Sequence, residues 1–126
     1  MSRRSRLSRS RDFDAVYRKG RSAASRTLVV YVFRHGQDDE LADADGVRLG
    51  LAVPRRVGDA VARNHVKRKL REAFALAGAE LEPAHDVVIV GRPGVAEALE
   101  RESQDWLVEE LRTLLARTVT ATGAAA

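Results

Sequence analysis

The chain is 126 residues long, 44% hydrophobic, 5% aromatic and 32% charged, with a formal net charge of +4 and a pI near 10.1. That length carries one domain with a single modest core. The absence of cysteine excludes disulfides, thiolate nucleophiles and sulfur-ligated zinc, and it fits a reducing cytosol.

Charge is divided rather than diffuse. Met1 to Arg71 holds 18 Lys and Arg against 8 Asp and Glu, a balance of +10, whereas Glu72 onward holds 4 against 10, a balance of −6. Such asymmetry predicts one electropositive surface and a polyanionic partner. Residues 1–11 form a Ser- and Arg-rich stretch read as a flexible basic arm, with Leu7 as its one large apolar residue. The apolar core of a secretory signal and the apolar face of a transit helix are both missing, and no run nears the roughly 18 apolar residues of a membrane span. The expected location is the cytoplasm, with no membrane partner.

Arg11 to Arg18 reads as a short helix whose Phe13, Val16 and Tyr17 share a face, closed by Gly20. Thr27 to Arg34 is β-branched and aromatic, a strand apolar on both faces and so covered on both. His35 to Gly46 carries Asp38, Asp39, Glu40, Asp43 and Asp45 and reads as a solvated loop. Its D-A-D-G at Asp43 to Gly46 is no calcium loop, because Leu41 and Ala52 would fall at the first and twelfth ligand positions. The loop leads to a strand, Arg48 to Val53, expected to pair with the preceding one as an antiparallel hairpin. Gly50 within it implies a bulge or the close approach of another backbone, and Pro54 ends it.

Val57 to Phe74 is the most informative segment. Asp59 is a competent N-cap, and at about 100° per residue Arg63, Asn64, Lys67, Arg68 and Arg71 fall in one arc while Val66, Leu70, Ala73, Phe74 and Ala77 gather in another. Arg63, Lys67 and Arg71 repel one another at helical spacing, and Arg63 near the N-terminus also opposes the helix dipole, so folding alone does not select this face. Only Asp59 and Glu72 flank it, and guanidinium forks with the Asn64 amide suit phosphates and base edges. The face is therefore read as a nucleic-acid interface rather than a solvated charge run. Asp86 to Val90 follows as a buried central strand stopped by Gly91 to Gly94. Val95 to Thr118 then reads as one surface helix with Leu99, Trp106, Leu107, Leu111, Leu114 and Leu115 on its stripe, and 121–126 as a disordered tail. The fold class is α+β: a small single-domain sandwich over residues 1–120, with helices packed on a sheet.

The order R-N-x-x-K-R-x-x-R at Arg63 to Arg71 resembles the signature of the protein component of bacterial ribonuclease P. The resemblance extends to D-F-x-x-V-Y-x-x-G at Asp12 to Gly20, R-L-G-L-A-V at Arg48 to Val53 and V-G-x-A-x-x-R-N at Val57 to Asn64. One departure is His65, where the family commonly has Arg, Lys, Gln or Leu; its charge depends on pH. The resemblance implies a further short strand near Ser22 to Ser25. The order becomes α-β-β-β-α-β-α on a four-stranded, mainly antiparallel sheet, with a left-handed crossover around the basic helix. It implies an RNA-binding subunit that assists a catalytic RNA, with Mg²⁺ held mainly by that RNA, in removing the 5′ leader of precursor tRNA and leaving a 5′-phosphate, in a one-to-one complex. On this resemblance Arg63, Asn64, His65, Lys67, Arg68, Lys69 and Arg71 bind the RNA subunit, and Phe13, Tyr17, Ser22, Val29 and Tyr31 line a cleft for the leader.

Arg9, Arg11, Arg55, Arg56 and Arg92 are read as secondary phosphate contacts. No residue is assigned to catalysis or to a metal. His35, His65 and His85 lack ligand-spaced partners, and Glu72, Glu80 and Glu82 read as helix-surface charges. Two alternatives compete. A ribosome-associated or structured-RNA module would not need the Phe13, Tyr17 and Tyr31 set. A helix-turn-helix DNA regulator would need a helix where Leu49 to Pro54 reads as strand, so DNA is not the expected partner.

Overall fold

The computed structural model describes residues 6–7, 9–34, 47–79, 81 and 85–124, with side chains as far as 118. Its elements are α1 (Ser10–Lys19), β1 (Arg21–Ala24), β2 (Leu28–Arg34), β3 (Arg48–Ala52), α2 (Ala60–Ala77), β4 (His85–Gly91), α3 (Val95–Arg101) and α4 (Gln104–Ala124). The expected acidic loop, His35 to Gly46, and residues 1–5 and 8 of the basic arm lie outside the described residues.

The four strands form one mixed sheet in the order β1-β2-β4-β3. β1 and β2 pair antiparallel, as do β2 and β4, whereas β3 and β4 run parallel, with Arg48 opposite Asp86 and Leu51 opposite Ile89. The expected β2–β3 hairpin is thus corrected, because β4 lies between those strands. Val87, Val88 and Ile89 are fully buried; a strand apolar on both faces is most stable at the centre, where both are covered. Because β3 and β4 are parallel neighbours, α2 must cross over the sheet to join them.

Alternation assigns the two faces. Leu28, Val30, Val32, Leu49, Val87 and Ile89 point into the main core, against Val66, Leu70 and Phe74 of α2 and Leu107, Leu111 and Leu114 of α4. Tyr31, Phe33, Val88 and Val90 point the other way, against Leu7 and against Phe13 and Val16 of α1. Leu7 does not belong to a free arm. It is buried, and its amide donates to the Leu49 carbonyl at 2.9 Å, next to a bridge between Arg6 and Leu49 on the outer edge of β3.

Local chemistry explains most boundaries. The Asp59 carboxylate accepts the Ala62 amide at 2.8 Å and caps α2 as expected. Gly20 ends α1 in an extended conformation, and a side chain there would collide with the Val16 and Val32 carbonyls at 2.5 and 2.8 Å. The single C-terminal helix expected from Val95 is divided, because Ser103 accepts the Trp106 amide on its hydroxyl at 3.1 Å and starts α4 afresh. α4 also continues to Ala124, into residues read from sequence as tail.

Gly50 makes room for a side chain rather than a backbone. A Cβ on it would stand 2.7 Å from Phe13 Cζ and 3.0 Å from Leu7 Cβ. Gly50→Ala is therefore expected to destabilise the fold by about 1 to 3 kcal/mol in urea unfolding, the usual range for overpacking. An unchanged midpoint would show that α1 is free to lift away.

Candidate nucleic-acid interface

The cationic face of α2 points outward and meets no carboxylate among the described residues. Asn64, His65 and Arg68 are exposed, and Arg63, Lys67, Lys69 and Arg71 are half-buried. The ion pairs among the described residues are Arg48 with Asp12 and Asp86, Arg101 with Glu102, and Arg112 with Glu109, so none engages an α2 cation. Arg63 borders the core, and its Nε is inaccessible and has no hydrogen-bond partner.

The predicted site residues divide into two patches. Lys67 and Arg71 turn toward the outer edge of β3, where with Arg6, Leu7, Phe13, Leu49 and Leu51 they line a groove of about 380 Å³. Asn64, His65 and Arg68 surround a second depression of about 480 Å³ beside exposed Val61. Lys69 stands apart: it is about 200° around the helix from Lys67, and its carbonyl accepts from Gln104 of α4 at 3.1 Å. Arg68 Nη2 lies 3.0 Å from His65 Nδ1. The two side chains are neighbours one turn apart on the exposed face of α2, where His65 can orient the guanidinium.

The aromatic set assembles on the opposite side of the sheet. Tyr17 meets Tyr31 edge-on, with ring centroids 4.9 Å apart, and Phe13 lies 6.2 Å from Tyr17 at 50°. Ser22 is directly across the ladder from Tyr31, and Val29 sits between Ala24 and Val90 one row further on. Phe13, Val29, Tyr31, Phe33 and Val90 are all half-buried and Tyr17 is 39% exposed, so this face of the sheet is only partly covered by α1. The rings of Phe13, Tyr17 and Tyr31 thus form one aromatic cluster where α1 meets the sheet. Burial, then Tyr31 and Asp14, raise the Tyr17 pKa above 10.0.

The arginines on connections behave differently from one another. Arg55 and Arg56 form an exposed 3₁₀ turn after Pro54, and Arg9 and Arg11 are exposed at the start of α1. Arg92 works within the fold: its amide donates to the Thr27 carbonyl and its guanidinium to the Ser25 carbonyl, each at 2.8 Å, tying the β1–β2 turn to the end of β4. Sequence reasoning missed Arg48 and Asp86. They stand opposite each other in the ladder and form a buried two-pronged pair, Nε to Oδ1 at 2.8 Å and Nη2 to Oδ2 at 2.6 Å, with Asp12 at 3.8 Å. The available signal was an opposite charge at the head of each of two apolar strands. Among the described residues no group of three His, Cys, Asp or Glu could hold a metal, and no helix is long and apolar enough to cross a membrane.

An α+β fold that carries an un-neutralised cationic crossover helix at one sheet edge and an aromatic cluster on the other face defines a class, the small basic RNA-binding proteins. Comparison with known proteins makes this specific: residues 1–119 match the family model described as Ribonuclease P, and the chain belongs to that family. It is 30% identical over 114 residues to the "Ribonuclease P protein component" of Alkaliphilus metalliredigens, covering 90% of this chain and 96% of that one. With the component from Shouchella clausii it shares 42% over 93 residues, 73% of this chain and 70% of the other. Among solved structures, the RNase P protein from Thermotoga maritima superposes with a TM-score of 0.73 at 32% identity, over 89% of this chain and 96% of that one. The Staphylococcus aureus protein gives 0.66 at 26%, over 94% of each. The role of the chain is that of the protein subunit of the ribonuclease P ribonucleoprotein, partner to its RNA, in tRNA processing.

The raised Tyr17 pKa has a measurable consequence. In a difference titration against Tyr17→Phe, the midpoint of the phenolate absorbance from this residue is expected above pH 10.0. Because the folded value exceeds the unfolded one, the associated stability is fully present below pH 10.0 and is lost as pH rises through the folded value. A midpoint at or below the ordinary value would mean that the Tyr17 ring is not buried between α1 and the sheet.

Proposed function

We propose that α2 anchors the chain on the ribonuclease P RNA while the α1–sheet cleft holds the 5′ leader of precursor tRNA, in a one-to-one cytoplasmic complex. The observation that carries this reading is the cationic face of α2, left without a carboxylate partner among the described residues. Arg63, Asn64, His65, Lys67, Arg68 and Arg71 would supply the contacts, with Lys69 on the helix flank and Arg9, Arg11, Arg55, Arg56 and Arg92 reaching outlying phosphates. Each phosphate neutralised releases condensed counterions, so this half of the chain acts as a shaped counterion between RNAs that would otherwise repel.

In the cleft, Tyr17, Tyr31 and Phe13 offer ring faces, with Ser22 and Val29 on the floor. Base stacking on such rings is worth about 1 to 3 kcal/mol per base and tolerates any sequence. Indifference to sequence suits an enzyme that meets many different leaders. Among the described residues no donor set fits a resident metal, and Mg²⁺ is assigned to the RNA phosphates, where it would supply the activated water. The polypeptide holds and aligns RNA.

Arg68→Ala is expected to weaken binding to the RNA subunit and to lower the slope of log K against log salt by roughly one phosphate equivalent. An unaltered slope would remove Arg68 from the interface. Tyr31→Ala is expected to reduce affinity for precursor tRNA by about tenfold or more while leaving mature tRNA unaffected. Equal loss for both would make the aromatic set a packing feature.

A further inference from the structure

We propose that Arg48 is a positioning residue for the leader cleft, holding α1 at a fixed height above the sheet through Asp12. This rests on the leader-cleft reading given above.

Three buried charges lie under α1: Arg48 is 9% exposed, Asp86 2% and Asp12 8%. Asp86 sits on the central strand, opposite Phe33 on one side and Arg48 on the other, and holds the guanidinium with both oxygens. Arg48 Nη1 is thereby presented to Asp12 in the first turn of α1, at 3.8 Å. The next residue, Phe13, seats its ring over Gly50, two residues along β3 from Arg48. α1 is therefore fastened to one strand at two points, by an ionic contact at Asp12 and a steric slot at Phe13. One turn later Tyr17 reaches Tyr31, so the pitch of the helix about these two points sets how far the aromatic wall stands from the floor.

Stability does not explain the charges. Desolvating an ion pair offsets most of its attraction, and apolar residues of equal volume often serve as well or better. What an ionic contact adds is a preferred position, because the attraction of the Asp12 carboxylate to Arg48 is greatest where the two stand closest. The apolar contacts of α1 are few, with Val16 its only fully buried apolar residue, and would tolerate sliding.

Asp12→Asn tests this with the Arg48–Asp86 pair intact, in the full chain assembled with its RNA. Affinity for precursor relative to mature tRNA is expected to fall by about five- to tenfold, the scale of a small misplacement. The RNA-subunit affinity should be unchanged, and the ring-to-ring NOE between Tyr17 and Tyr31 should be lost from the free protein. Arg48→Lys, which cannot serve Asp86 and Asp12 together, should give the same shift. Tyr31→Ala is the control. If it lowers the precursor-to-mature ratio and Asp12→Asn does not, the positioning role is overturned. Parallel losses for precursor and mature tRNA in Asp12→Asn would overturn it too, as a general weakening of the fold. If Tyr31→Ala leaves the ratio unchanged, the leader-cleft reading has failed. The NOE then decides alone: its loss in Asp12→Asn upholds the placement of α1 by Asp12, and its persistence overturns it.

Discussion

The insertion of β4 between β2 and β3 governs the rest of the architecture. A strand that runs parallel to its neighbour needs a long crossover, and here α2 is that crossover. The helix lies against the sheet with Val66, Leu70, Ala73 and Phe74 and must expose whatever occupies its other side. The cationic sequence could not have been hidden without giving up the central strand. Topology fixes where the charge appears, at the β3 edge, and leaves α4 to cover β1 and β2.

The magnitudes show why such a helix survives. Like charges at helical spacing oppose folding by a few tenths of a kcal/mol for each pair. Each buried Val, Leu or Phe on the reverse side returns about 1.5 to 3 kcal/mol. Burial wins by a wide margin, so the helix folds despite the repulsion, which on the proposed reading a polyanion would relieve. An internal carboxylate would have relieved it earlier and weakened that partner's hold. The acids of the C-terminal half go elsewhere, as in the Arg112 to Glu109 pair.

Local features were legible in the sequence, and non-local ones were not. The Asp59 cap, the two faces of α2 and the buried character of β4 follow from spacing within about 18 residues, where helical and strand periods act. The hairpin reading of β2 and β3 failed because strand pairing depends on a competitor that arrives later in the chain, His85–Gly91, and sequence adjacency is only a default. Arg48 and Asp86 are 38 positions apart and meet only through that pairing. The division of the last helix was in principle readable, since Ser103 lies three residues before Trp106 in capping order, yet the unbroken apolar stripe outweighed it. Arg92, read as a phosphate contact from its place on a connection, also has hydrogen bonds that tie two turns together, a pairing across 67 positions that no local pattern announces.

Phe13 connects the two halves of the molecule. Its ring faces Tyr17 on α1 and also lines the groove that contains Lys67 and Arg71 of α2. Gly50 permits this double contact, because any larger residue on β3 would push the ring off the sheet and separate the groove from the cleft. The cleft on one sheet face and the cationic helix packed on the other thus communicate around the β3 edge. On the proposed reading a nucleotide chain held by α2 would reach the aromatic cluster around this edge, with Phe13 beside the Lys67 ammonium and the Arg71 guanidinium.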